Sequence, residues 1–229
     1  VTIGVTFNPF RTVDARERVI RWAAWLGVLV KIAYVATGAR CLRGYSAYLL
    51  HDLSAFDYKF TNYANLAISI LRVVVTFLPV LLVDRVGRRF LINMSMLVTS
   101  LCLAVIIASI HFGATWQWGT LIGFTVLILA NSCGIGAVSR FYAAELVPKA
   151  ILLSTTSVLA GLEIVTKVAS EFAWYPLAGA IGEWSLLEFF IPSALLMAVL
   201  WRCPETSGRT VNQVLTEMAG KMKLDARFD

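Results

Sequence analysis

Charged side chains stand inside stretches of this chain that are otherwise apolar, and their types limit the chemistry open to them. Arg72 lies midway along one such stretch, and Arg40 and Arg43 flank a break near Gly38 in another. Glu163, Lys167 and Glu171 recur at i, i+4 and i+8, which lines them up on one helix face. A charge at a bilayer centre costs at least about 2.5–3.5 kcal/mol, so such residues face partners or a water-filled cavity. Two readings stay open. In one, these groups line a polar translocation pathway and contact a solute or an ion. In the other they neutralise one another, Glu163 with Lys167 inside their own helix, while Lys31 and Arg43 are structural.

Bond-making chemistry is not expected. His51 and His111 have no Asp, Ser or Cys companions at useful spacing, and the sequence holds no metal-ligand motif. Cys41, Cys102, Cys133 and Cys203 fall far apart and are expected to be inert, buried thiols. The chain is therefore expected to have no catalytic residue, no metal and no cofactor, and not to be an enzyme.

A second group of chemically capable residues sits in a short connection, Asp84-Arg85-Val86-Gly87-Arg88-Arg89. Gly87 supplies the permissive backbone of a tight turn. Asp84 can accept hydrogen bonds from a helix N-terminus or pair with arginines, and Arg88 and Arg89 can reach carboxylates at neighbouring helix ends.

The elements that must position these groups follow from composition. Of 229 residues, 59% are apolar and 15% charged, and the mean hydropathy is +0.75. A soluble average is roughly 45–50% apolar and 25% charged, so an all-α integral membrane protein is expected. Six apolar segments can be read: 20–53 with a break near Gly38, 60–83, 90–112, 116–139, 150–181 and 186–201. They give a lead-in over 1–21, six transmembrane helices over 22–202 and a tail over 203–229. The Gly134-Ile135-Gly136 run reads as a close helix contact.

Charge sets the orientation. Fourteen of the twenty Lys and Arg fall on one side of this layout, five lie within spans, and Lys59 alone falls on the other side. The positive-inside rule then puts both termini in the cytoplasm, with Phe112, Trp116, Trp118, Trp174, Tyr175 and Trp184 as an aromatic belt at the outer face. The net charge of +6 reports this topology, and no nucleic-acid partner is expected.

The connection at 84–89 resembles the D-R-x-G-R-R loop of the major facilitator superfamily, and its sugar-porter branch of facilitative hexose transporters looks closest. Pro204-Glu205-Thr206-Ser207-Gly208-Arg209-Thr210 resembles that branch's terminal P-E-T-K-G-R-T, with Ser207 in place of Lys. Ala144-Glu145-Leu146 followed by Pro148 resembles its A-E-L-x-P, and Gly38 with Tyr45-Ser46 resembles its broken seventh helix. The resemblance runs from about Phe10 to Val214.

It implies the C-terminal six-helix half of a twelve-helix major facilitator fold, a multi-pass protein of the plasma membrane rather than an organelle. The partners implied are the lipid bilayer, a small polar or anionic solute, and a missing N-terminal half. Asp84, Arg88, Arg89, Glu145, Glu205 and Arg209 would form the family's gating cluster, with Leu152 where an Arg is usual and Lys149 as a substitute. The sugar-binding positions fall on Tyr34, Val35, Arg40, Arg72, Arg140 and Glu163, where the family places amides and a Trp. Amides suit hydroxyls because each both donates and accepts, whereas Arg only donates. The expected activity is alternating-access transport with altered, charged substrate positions. An organic-ion transporter and a truncated, non-transporting relative are the alternatives.

Overall fold

Hydrocarbon offers no partner to a free N–H or C=O, so a chain that enters it must satisfy its backbone within helices or closed barrels. The computed structural model describes residues 15–201, 203–206 and 208–221, and every regular element among them is helical. In chain order these are α1 (Ala15–Ala36), α2 (Ala39–Gly44), a π-helical turn (Tyr48–Leu53), α3 (Tyr58–Val75), α4 (Leu78–Val86) and α5 (Arg88–His111). Then follow α6 (Gln117–Cys133), α7 (Ile135–Glu145), α8 (Leu152–Ile181), α9 (Leu187–Leu200) and α10 (Val211–Lys221).

Among the described residues, four helical stretches are long and apolar enough to cross a membrane: Arg16–Gly44, Arg88–His111, Gln117–Tyr142 and Leu152–Leu200. The last contains both α8 and α9, joined by the 3-10 turn Gly182–Leu186. The expected span at 60–83 is divided between α3 and α4. Pro79, in the first turn of α4, lacks an N–H, and its ring disfavours a continuous helix through the preceding turn.

The break in the first span has a specific cause. Gly38 holds φ +67°, and a Cβ there would lie 2.6 Å from Cγ of Phe189 on α9. Only glycine meets both conditions, so α1 ends at Ala36 and the rod restarts as α2. Gly134 divides α6 from α7 and lies against Ser95 of α5 with no room for a Cβ, the close contact read from the sequence.

Two apolar cores lie on either side of these breaks. One joins Ile20 and Ala33 of α1, Met96 of α5, Val138 of α7 and Leu215 of α10. The other joins Leu42 of α2, Leu103 of α5, Phe124 of α6 and Phe189 of α9. Between them, buried polar groups bond across helices: Asn131 Nδ2 donates to Thr37 Oγ1 at 2.8 Å, Ser100 and Ser193 share a bond at 3.2 Å, and Ser95 donates to the Ala130 carbonyl at 3.0 Å. Bonds of this kind stabilise helix pairs in membranes by about 0.6 kcal/mol each.

Outward faces are apolar, with Tyr63, Ile70 and Val73 on α3 and Leu153, Val165 and Phe172 on α8 exposed. Phe112, Trp116, Trp118, Tyr175 and Trp184 are also exposed, as a belt requires. Trp174 is not one of them: it is fully buried, its ring 5.1 Å from Tyr45 and 5.9 Å from Tyr48. The four cysteines are free, Cys41, Cys102 and Cys203 being buried and Cys133 partly so. Part of the expected tail is α10, whose Val214, Leu215, Met218 and Ala219 pack in the core with α1.

Candidate functional site

Ala39 and Arg40, just past the break at Gly38, face Arg72 of α3 and Ile128, Asn131 and Ser132 of α6 across a small hollow. Two small adjoining hollows, of about 20 and about 70 Å³, lie there and share Tyr34, Arg72, Asn131 and Ser132. The smaller is also walled by Arg40 and Arg43, the larger by Thr76, Gly136 and Arg140. Enclosed small-molecule pockets run to roughly 300 Å³ or more, so these hollows alone are too small to enclose one.

Four residues expected at a solute site, Tyr34, Arg40, Arg72 and Arg140, thus meet at these hollows. Arg72 stands near the middle of the α3 and α4 segment and donates its Nε to Ser132 Oγ at 3.0 Å. Arg40 pairs with Glu171 at 3.3 Å, which ties α2 to α8. Glu163 lies apart from the hollows. It is held between Lys31 Nζ, at 2.7 Å, and Lys167 of its own helix, with all three side chains largely buried. Lys167 Nζ also sits 5.0 Å above the Tyr34 ring, which links this triad to the cavity wall.

The intramembrane charges therefore differ in their surroundings: Lys31, Glu163 and Lys167 are paired with one another, and Arg43, Arg72 and Arg140 line the hollows. The Glu163 and Lys167 pair neutralises as expected, with Lys31 as an added partner 132 positions away in sequence. Sequence reasoning missed Asn131 and Ser132. Their signal was present, two adjacent polar residues in an otherwise apolar stretch.

The loop cluster is assembled around the start of α5. Gly87 takes φ +91° and leaves room for Glu205, whose carboxylate would be 2.9 Å from a Cβ at that position. Glu205 accepts from the backbone N–H of Arg88 at 2.9 Å and of Arg89 at 3.1 Å. A carboxylate there satisfies two N–H groups that the helix leaves free and meets the positive end of its dipole. Arg88 reaches Glu145 at 3.4 Å, Thr206 Oγ1 donates to the same carboxylate at 2.6 Å, and Arg89 donates to the Trp201 carbonyl.

Arg88, Arg89, Glu145 and Glu205 are thus brought together as expected. Arg209 is not among them and pairs with Glu217 on α10. Lys149 forms no ion pair among the described residues, so Thr206 rather than Lys149 supports Glu145. The side chain of Asp84 lies outside the described residues. Two neighbours were not foreseen: Tyr142, whose hydroxyl donates to the Pro204 carbonyl at 2.6 Å, and Cys203, whose thiol burial pushes up to about 12.

The sequence profile of the Sugar (and other) transporter family matches residues 10–217 of this chain. The chain belongs to that family. The facilitated trehalose transporter Tret1 of Polypedilum vanderplanki is 29% identical over 199 residues, which is 80% of this chain and 38% of that protein. Tret1 of Drosophila pseudoobscura pseudoobscura is 27% identical over 197 residues, 80% of this chain and 22% of its own length. Trehalose transporter 1 of Drosophila melanogaster is 25% identical over 174 residues, covering 71% and 20%. The chain thus spans well under half the length of these curated relatives. Members of this sugar transporter family are multi-pass membrane transporters rather than enzymes, and the apolar helices of this chain fit that class.

Proposed function

We propose that this chain is the C-terminal six-helix half of a secondary transporter that moves a small polar solute across the plasma membrane by alternating access. Its six spans are α1 with α2, α3 with α4, α5, α6 with α7, α8, and α9. Both termini face the cytoplasm, and the solute passes between this half and an N-terminal counterpart. The observation that carries the proposal is the polar, one-sided wall at Tyr34, Arg72, Asn131 and Ser132, set at the Gly38 break. Irregular backbone at membrane depth is stable only against protein or a water-filled cavity. Arg40 and Arg72 replace amides of the family; Arg40 is answered by Glu171, so an anionic solute supplies part of the charge compensation at Arg72 through charge-assisted hydrogen bonds. The Arg88, Arg89, Glu145 and Glu205 cluster holds helix ends together on the cytoplasmic side and favours one of two arrangements.

The test is solute uptake by the longer protein that contains this chain, in reconstituted vesicles, with neutral sugars and organic anions compared. Saturable uptake of either class supports the transporter. No uptake of any solute by a folded protein overturns it in favour of a non-transporting relative, the reading that the short match to the curated relatives would then favour.

A further inference from the structure

Six cationic side chains lie at or beside the two hollows: Arg40, Arg43, Arg72 and Arg140 on their walls, Lys167 above the Tyr34 ring, and Lys31 joined to Lys167 through Glu163. Two carboxylates answer three of them. Glu163 is shared by Lys31 and Lys167, and Glu171 pairs with Arg40. Arg43, Arg72 and Arg140 have no carboxylate partner among the described residues. Among the described residues Arg72 donates its Nε to the neutral hydroxyl of Ser132 and its terminal nitrogens to no side chain. These three arginines form a series along the cavity wall: Arg43 bounds one hollow, Arg140 the other, and Arg72 belongs to both.

Neutral groups stand between the guanidinium groups. Ser132 accepts from Arg72 and keeps its own proton to donate, while Thr76 donates to the Arg72 carbonyl at 2.7 Å and keeps its lone pairs. Tyr34 lines both hollows. A hydroxyl-bearing solute can both donate to and accept from such groups, whereas a simple inorganic anion would use the arginines alone.

We propose that the cavity binds a polyhydroxylated solute carrying two negative charges, with Arg43, Arg72 and Arg140 as its anion contacts and Thr76, Ser132 and Tyr34 facing its hydroxyls. A neutral sugar leaves three arginines without an anionic partner, a monoanion two and a dianion one. Arg40 and Glu163, being already paired, are positioning residues. The proposal deepens the transport reading and rests on it for the choice of this wall as the solute site. A phosphate monoester and a dicarboxylate share the required chemistry, one with both charges on a single head and the other with a charge at each end.

Binding to the purified longer protein that contains this chain, in detergent at fixed ionic strength, tests it without flux. The probes are glucose, glucuronate, glucose 6-phosphate and glucarate, read by ligand-induced thermal stabilisation. At least one dianion is expected to bind tenfold or more tighter than glucuronate, with glucose weaker still. Glucose 6-phosphate as the tighter dianion identifies a phosphate monoester, and glucarate identifies a dicarboxylate. Arg43→Gln and Arg140→Gln should each lower dianion affinity about tenfold, while Lys59→Gln, outside the cavity, leaves it unchanged.

Glucose binding as tightly as both dianions overturns the proposal, as does dianion affinity that neither arginine variant alters. The ligand series on the unsubstituted chain stands alone should a variant fail to fold. A protein that binds dianions yet moves no solute overturns the transport reading only. One that moves neutral sugar and ignores dianions overturns the charge assignment only.

Discussion

At Glu163 one carboxylate serves two ammonium groups, and its side chain and both lysines are only 12–13% exposed. Removing its charge leaves two buried cations unanswered, so Glu163→Gln should destabilise the folded protein by about 3 kcal/mol or more. Lys167→Met leaves the Lys31 and Glu163 pair intact and should cost less. Thermal unfolding in detergent checks the order: Glu163→Gln melts lowest, and equal melting of the two variants contradicts a shared carboxylate. A second residue-scale prediction concerns Cys203, 3% exposed and with a thiol pushed up to about 12 by burial. At pH 8 about one thiol in ten thousand is ionised at such a pKa, so maleimide should leave Cys203 unlabelled in the native protein and label it after denaturation. Mass spectrometry reads the outcome, and native labelling of Cys203 would refute the packing of the segment that follows α9. Of these features the sequence disclosed the Glu163 and Lys167 pair through its four-residue spacing. It could not disclose Lys31, because that contact exists only where α1 packs on α8.

Among the helices, breaks matter as much as spans. Gly38 separates α1 from α2 with φ +67° and no room for a Cβ beside Phe189. Gly38→Ala should therefore lose about 1–2 kcal/mol from the left-handed backbone and about 1–3 kcal/mol from overpacking. Adding Phe189→Ala should not restore stability, since the backbone strain persists and a cavity replaces the clash. Melting of the single and double variants measures this, and an unchanged midpoint for Gly38→Ala would contradict the break. The start of α5 depends on Glu205, which reaches it from the far side of α9. Glu205→Gln should weaken that helix end by about 1 kcal/mol and speed hydrogen exchange at the Arg88 and Arg89 amides. Exchange at the parent rate would show that the carboxylate does not hold the turn. The loop motif had already marked Glu205 as part of a cluster. Its particular role, accepting two backbone N–H groups, follows from the return of residues 203–206 to the α4 and α5 connection, which sequence spacing does not encode.

For the whole molecule, the proposed orientation in the bilayer rests on the skew of Lys and Arg to one side of the spans. A thiol introduced by Lys59→Cys should react with an impermeant maleimide added outside intact cells, and one introduced by Lys149→Cys should react only after permeabilisation, each measured against the unsubstituted chain. Labelling of Lys149→Cys from outside would invert the topology. What the sequence determined by itself was the membrane class, the apolar segments and the family, because hydropathy and short loop motifs are sums over neighbouring residues. It also named Tyr34, Arg40, Arg72 and Arg140, which the fold brings to one wall. Only the tertiary structure decided which charges are spent and which remain. Trp174 went inside rather than to the belt, Arg209 turned to Glu217, and Lys31 and Arg40 acquired carboxylates from α8. The physical reason is range: in a low-dielectric interior a charge is satisfied by whatever helix packs within about 4 Å of it. That neighbour is set by how helices cross, over separations of more than a hundred residues, and by no local pattern.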